Sequence, residues 1–181
     1  PSDWIDAARF DQAVQNGRSA ADTGRLDEAS EAFAEALALC PGPPLGDLGD
    51  EAWARDFVDR LTVQRTTVLR ESFTVELARG RHLEVLADLR AAVAAHPLDE
   101  GFCAQFMTAL YRAGRQVQAL EAFRALRRTL GEELGLEPGP DLRRLEERII
   151  VQDPGLQLRR RSEPSIGDST TMVRPAQIGR A

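Results

Sequence analysis

"AGRQVQALEAF" (residues 113–123) repeats the form of two earlier stretches, "TGRLDEASEAF" (23–33) and "RGRHLEVLADL" (79–89). Each contains a Gly-Arg pair, at Gly24-Arg25, Gly80-Arg81 and Gly114-Arg115. Five residues past each glycine stands a small or branched apolar residue (Ala29, Val85, Ala119), and nine past it a bulky one (Phe33, Leu89, Phe123). An interval of four returns a helical side chain to the same face. Each stretch therefore predicts a helix that sets a bulky residue beside a smaller one, where a neighbouring helix comes close. A glycine just ahead of such a helix takes the left-handed backbone conformation that ends the preceding helix without a Cβ clash.

The second and third glycines are 34 residues apart, the period of the tetratricopeptide helical hairpin, and the first two are 56 apart, which leaves 22 residues of surplus. The pattern predicts helix pairs at 6–22 with 26–39, 64–79 with 82–95, and 98–113 with 115–130. Pro41 and Pro97, each 17 residues beyond its glycine, stop the second helices of the first two hairpins. One hairpin cannot bury its own apolar face, whereas three stacked hairpins share a core. The expected fold class is all-α: a right-handed superhelix of three tetratricopeptide-like hairpins with an inserted helix and a C-terminal capping helix. The insertion is "PGPPLGDLGDEAWARDFVDRL" (41–61), a loop and then a short amphipathic helix on which Trp53 and Phe57 are core contacts one turn apart. The cap is "LEPGPDLRRLEERIIVQ" (136–152), with Pro140 at a helix start and Leu142, Leu145 and Ile149 on one face.

From Arg159 the text becomes "RRRSEPSIGDSTTMVRPAQIGRA", without a period and poor in apolar residues, which predicts a flexible linker over about 157–181 opened by a solvated basic run. Thr170 and Thr171 are candidate phosphoacceptors there.

The 181 residues are 43% hydrophobic, enough for one sizeable core. Residues 1–62 hold 5 Arg against 13 acids, while the remainder holds 18 Arg against 16. The net charge of −6 is not the balance of a nucleic-acid-binding domain. The longest apolar runs, such as "AAVAA" (91–95), fall far short of the roughly 20 residues of a membrane span, so a soluble, cytoplasmic chain without a membrane partner is expected. Cys40 and Cys103 have no close Cys or His companion and read as free thiols.

Chemistry is sparse. No phosphate loop, nucleophile elbow or metal-ligand spacing occurs, and adjacent acids such as Glu132 and Glu133 point in different directions. His82 and His96 are expected at opposite ends of one helix. No catalytic, metal or cofactor site is expected. A hairpin stack does offer a concave wall built from its first helices. With Gly24, Gly80 and Gly114 at the turn position of tetratricopeptide repeats, that resemblance puts Arg18, Arg70 and Arg112, with Thr108 and Tyr111, on this wall as a candidate groove in which arginines hold an acidic or carboxylate-ended peptide and Tyr111 anchors it. The alternative is that these arginines are neutralised by nearby acids such as Asp22 or Glu76.

From His96 onward, "HPLDEGFCAQFMTALYRAGRQVQALEAFRALRRTLGEELGLEPGPDLRRLEERII" resembles the bacterial transcriptional activator domain of SARP-type transcriptional regulators. "DAARFDQAV" (6–14) and "LALCPGPPLGDL" (37–48) resemble its opening helix and a Pro-Leu segment, with Cys40 where an aromatic residue is common. The resemblance spans about residues 5–155 and implies a domain over 1–156. It also implies a winged helix-turn-helix DNA-binding domain ahead of it in the complete protein, so that promoter DNA is contacted only through that missing part. Further implied are contacts with flanking domains, with a second copy or with RNA polymerase, and no enzymatic activity. The remaining alternative is a free-standing scaffold for an acidic peptide.

Overall fold

The computed structural model describes the backbone of residues 2–40 and 55–157 and the side chains of residues 7–40 and 58–157. Its helices are α1 (Ser2–Asp22), α2 (Leu26–Leu39), α3 (Arg55–Ala78), α4 (Leu86–Ala95), α5 (Glu100–Arg112), α6 (Gln116–Leu134) and α7 (Pro140–Ile150), followed by a 3-10 turn at Pro154–Leu156. Among the described residues there is no strand. Helices α1/α2, α3/α4 and α5/α6 are the three predicted hairpins, and α7 is the cap.

The corners are built alike. Gly24, Gly80 and Gly114 have φ of 74°, 84° and 75°. Each glycine N–H donates to the carbonyl three residues back (Ala21, Leu77, Tyr111), and each following arginine N–H to the carbonyl five back (Ala20, Glu76, Leu110), at 2.8–3.2 Å. This is the Schellman arrangement, which satisfies carbonyls a helix end leaves orphaned. A fourth copy ends α7: Gln152 has φ of 55°, its N–H donates to the Ile149 carbonyl at 3.2 Å, and Asp153 N–H donates to the Arg148 carbonyl at 2.9 Å.

Four boundaries differ from those read in the sequence, the first being α1, which begins at Ser2 rather than 6. Helix α6 runs past Gly131 to Leu134, because the stop is Gly135 (φ 65°), where Leu136 N–H reaches back to the Leu130 carbonyl. Helix α3 is continuous from Arg55, so the later part of the expected inserted helix forms the first turns of hairpin 2. Helix α4 starts at Leu86 rather than 82. Residues 81–85 are wound as a tight turn with the N–H groups of both Glu84 and Val85 on the Arg81 carbonyl (3.2 and 3.3 Å), so His82 lies in a turn and not on the helix. Residues 41–54 with Trp53, the side chain of Phe57, and residues 158–181 with Thr170 and Thr171 lie outside the described residues.

All six repeat positions of the opening pattern are buried: Ala29, Phe33, Val85, Leu89, Ala119 and Phe123. They fall into two clusters. One is built on Phe10, Ala13, Val14, Ala29, Phe33 and Ala36; the other on Leu89, Phe102, Met107, Leu110, Phe123, Leu142 and Ile149. Helix α3 sends Val68 and Val75 into the first and Phe73 and Leu77 into the second. The spacing explains this, since residues seven apart share one helical face and residues offset by five lie nearly opposite.

A polar clamp fastens hairpin 1 to α3. Arg79, with only 11% of its side chain exposed, contacts Glu76 (2.7 Å), Asp27 (2.6 Å) and the Ser30 hydroxyl (2.5 Å), while that hydroxyl donates to Glu76 (2.5 Å). Burial pulls the Arg79 guanidinium down, but the hydrogen bonds and charges of Glu76 and Asp27 more than offset it, so its pKa lies above the ordinary value. Arg65 Nε adds a bond to the Cys40 carbonyl at 2.8 Å. Cys103 is buried, and desolvation pushes its thiol up to about 12, which makes it inert at neutral pH.

Candidate functional site: the concave face

The predicted groove residues lie on the first helices of the three hairpins: Arg18 on α1, Arg70 on α3, and Thr108, Tyr111 and Arg112 on α5. Arg18 Nε donates to both carboxylate oxygens of Glu71, at 3.0 and 3.1 Å. Arg70 pairs with Asp99 and lies over the Phe102 ring, 5.3 Å from its centroid. Arg112 donates to two backbone carbonyls, Leu77 at 2.7 Å and Leu156 at 2.9 Å. Desolvation lowers its pKa from the ordinary arginine value. Thr108 turns its hydroxyl to the Ala104 carbonyl of its own helix (2.8 Å), and the Tyr111 ring is buried in the second cluster. The acids that neutralise Arg18 and Arg70 are thus Glu71 and Asp99, whereas Glu76 serves Arg79 and Arg81.

The third-hairpin end of the face is therefore sealed by the chain itself. Leu156 is buried beside Tyr111 and Leu77 in the second cluster, and its carbonyl is held by Arg112. Among the described residues, two depressions lie between α1 and α3. A depression of about 310 Å³ is lined by Phe10, Val14, Arg18, Gln64 and Val68. Another, of about 540 Å³, is lined by Ala7, Asp11, Asp59, Leu61 and Val63. Asp11 and Gln64 border both, so the two depressions adjoin and are called the α1/α3 trough below. Among the described residues no group of three or more His, Cys, Asp or Glu side chains is arranged to hold a metal ion.

In the "HPLDE" segment (96–100), His96, Asp99 and Glu100 join α4, α5 and α7. The His96 ring stacks on Phe102 (5.3 Å between centroids, 26° between planes). Asp99 caps α5, accepting from the N–H groups of Gly101 (2.8 Å) and Phe102 (3.1 Å), which satisfies two donors at a helix start. Glu100 reaches 39 residues along the chain to accept the N–H of Gly139, at 3.0 Å to each oxygen, and so fastens the start of α7. A Cβ on Gly139 would lie 2.9 Å from the Glu100 carboxylate, so a side chain there would make that carboxylate shift. Sequence reasoning did not find this pair, since neither residue carries a local signal of the other. The Glu76–Arg79–Asp27 clamp was missed for the same reason.

Three stacked hairpins closed by a seventh helix define an all-helical repeat fold. The chain belongs to the bacterial transcriptional activator domain family, which it matches over residues 5–150. It is 42% identical over 151 residues to the regulatory protein DnrI of Streptomyces peucetius, covering 83% of this chain and 56% of that protein. It is 37% identical over 154 residues to the transcriptional regulatory protein EmbR of Mycobacterium tuberculosis, and 34% identical over 174 residues to the regulatory protein AfsR of Streptomyces coelicolor. Those matches cover 85% and 96% of this chain but only 40% and 17% of the relatives. The solved structure of Mycobacterium tuberculosis EmbR in complex with a low affinity phosphopeptide superposes with a TM-score of 0.79 at 38% identity, over 82% of this chain and 39% of that one. The chain thus spans about half, or less, of the regulators it matches. Among the described residues no helix is long and apolar enough to cross a membrane.

Proposed function

We propose that this chain is the non-catalytic interaction module of a longer, cytoplasmic SARP-type transcriptional regulator. In this reading residues 1–156 form the module, residues 157–181 lead toward a further part, and a winged-helix domain ahead of residue 1 binds the promoter. The module positions that domain and contacts a protein partner: its own flanking domains, a second copy or RNA polymerase. The observation that carries the proposal is the family match across residues 5–150, together with relatives that share the domain, bear the names of regulators and extend well beyond it. On the concave face, the α1/α3 trough is the part open to a ligand. Arg18, Arg70 and Arg112 enter as wall residues that an acidic peptide must first draw away from Glu71, Asp99 and the two carbonyls.

The test uses the complete regulator in a purified transcription assay. Deleting residues 5–150 is expected to leave promoter binding by the winged-helix part while transcript yield falls at least about tenfold. Full activation by the deleted protein would overturn the proposal.

A further inference from the structure

Arg18 and Arg70 have acid partners, Glu71 and Asp99, whereas Arg112 has no carboxylate within ion-pair distance among the described residues. Its Nη1 donates to the Leu77 carbonyl and its Nε to the Leu156 carbonyl, and its Nη2 makes no hydrogen bond among the described residues. Arg79 shows what is lacking. Both guanidiniums lose hydration, but only Arg79 has carboxylates that offset the loss, so its pKa rises while that of Arg112 falls. Nε and Nη2 of an arginine present parallel N–H groups, a fork that fits both oxygens of one carboxylate. The single carbonyl oxygen of Leu156 fills half of it.

That carbonyl belongs to a strap. Beyond α7 the chain turns through Pro154–Leu156 and lays the Leu156 side chain into the apolar cluster that holds Leu77 and Tyr111. Few polar bonds hold the strap down. Asp153 accepts the Gly155 N–H at 2.7 Å and pairs with Arg148 at 2.6 Å, and this pair is exposed to water, where ion pairs hold weakly. Gln152, at the entry to the strap, has a positive φ that disfavours a side chain. Leu156 itself therefore supplies the main anchor: an aliphatic side chain in the core and a carbonyl on an arginine that lacks an acid.

We propose that Leu156 is the built-in occupant of a site for the C-terminus of a partner protein: a chain-terminal leucine, or a similar aliphatic residue, replaces it, with its side chain beside Leu77 and Tyr111 and its carboxylate on Nε and Nη2 of Arg112. In a terminal residue the carboxylate carbon stands where an internal residue has its carbonyl carbon. The ligand thus keeps the spacing of side chain and acceptor that Leu156 already shows, which an internal Asp or Glu does not. Capture of a terminal carboxylate is an established mode of peptide recognition, and here the strap regulates it by competition, since the tethered leucine is present at high effective concentration. The site rests on the reading of the chain as an interaction module and is separate from the α1/α3 trough.

The probe is the strap as a free peptide, residues 151–156, "VQDPGL", acetylated at its start and ending in a free carboxylate, compared with the same peptide ending in an amide. Each is titrated into the isotope-labelled 181-residue chain and followed by backbone amide shifts. In Leu156→Ser, whose strap no longer fills the seat, the acid should give saturable shifts at Leu77, Tyr111 and Arg112. The amide should bind about tenfold more weakly, because it cannot form the charge-assisted fork. In the unaltered chain the acid should also bind about tenfold more weakly than in Leu156→Ser, with Asp153→Ala, which loosens the strap from outside the seat, in between. Arg112→Met should erase the preference for acid over amide. Circular dichroism checks the fold of each variant, and where Leu156→Ser fails to fold, Asp153→Ala carries the same comparison. Equal affinity for acid and amide, equal affinity in the unaltered and loosened chains, or no saturable shift at these three amides would overturn the proposal. These readouts involve no transcription, so they fail independently of the deletion assay above.

Discussion

Hairpins 1 and 2 turn their corners with the same hydrogen bonds, yet they pack their helices differently. Seven residues before the corner glycine, hairpin 1 has Gly17 and hairpin 2 has Phe73. A Cβ at Gly17 would stand 2.6 Å from the buried Phe33 ring, and Ala13, Ala20, Ala29 and Ala36 are buried around it, so α1 and α2 approach closely along their length. In hairpin 2 the facing residues are Phe73, Leu77, Val85 and Leu89; the backbones of α3 and α4 stay apart, and α3 leans on α2 and α5 instead. The corner is a backbone device that works at either spacing. The spacing follows from side-chain volume, since interiors are close-packed and leave no slack for a bulky residue where a small one sits.

The contrast can be broken from either side. The largest effect is expected from Phe73→Ala, which should cost about 3–5 kcal/mol in urea unfolding, as large aromatic deletions from a packed core do. Gly17→Ala should cost about 1–3 kcal/mol by overpacking against Phe33, although alanine is the better helix former; an increase in stability would show that the α1/α2 contact is not tight. Asp99→Ala removes the α5 cap and should cost about 1 kcal/mol, read as a lower thermal midpoint, while Asp99→Asn keeps much of it. The smallest effect tests the corner itself. Gln152→Gly should raise stability by up to about 1 kcal/mol, because Gln152 holds a positive φ that glycine adopts without strain, whereas Gly114→Ala should lower it.

The corners and the helix pairs were legible because they rest on local signals: a glycine with φ near 75° and buried positions five and nine residues beyond it. The start of α4 was not, because Val85 keeps the apolar pattern through a segment wound as a turn. The end of α6 was misread because Gly131 sits inside the helix and Gly135 ends it, and only the backbone distinguishes the two. For the predicted groove residues, the sequence indicated which helices carry them but not what they touch. Glu71 is 53 residues from Arg18, Asp99 is 29 from Arg70, and Leu156 closes over Arg112 from beyond the last helix. Pairings at such distances depend on how the hairpins stack, which no local pattern encodes.

Helix α3 gives Val68 and Val75 to one cluster and Phe73 and Leu77 to the other, so the chain is expected to unfold as a short row of coupled units rather than in a single all-or-none step. Opening hairpin 1 exposes one side of α3 and leaves the α5–α7 core intact; melting α3 releases both sides at once. In amide hydrogen exchange, α1 and α2 should trade protons through a sub-global opening of lower free energy than that of α5 and α6, with α3 setting the step between them.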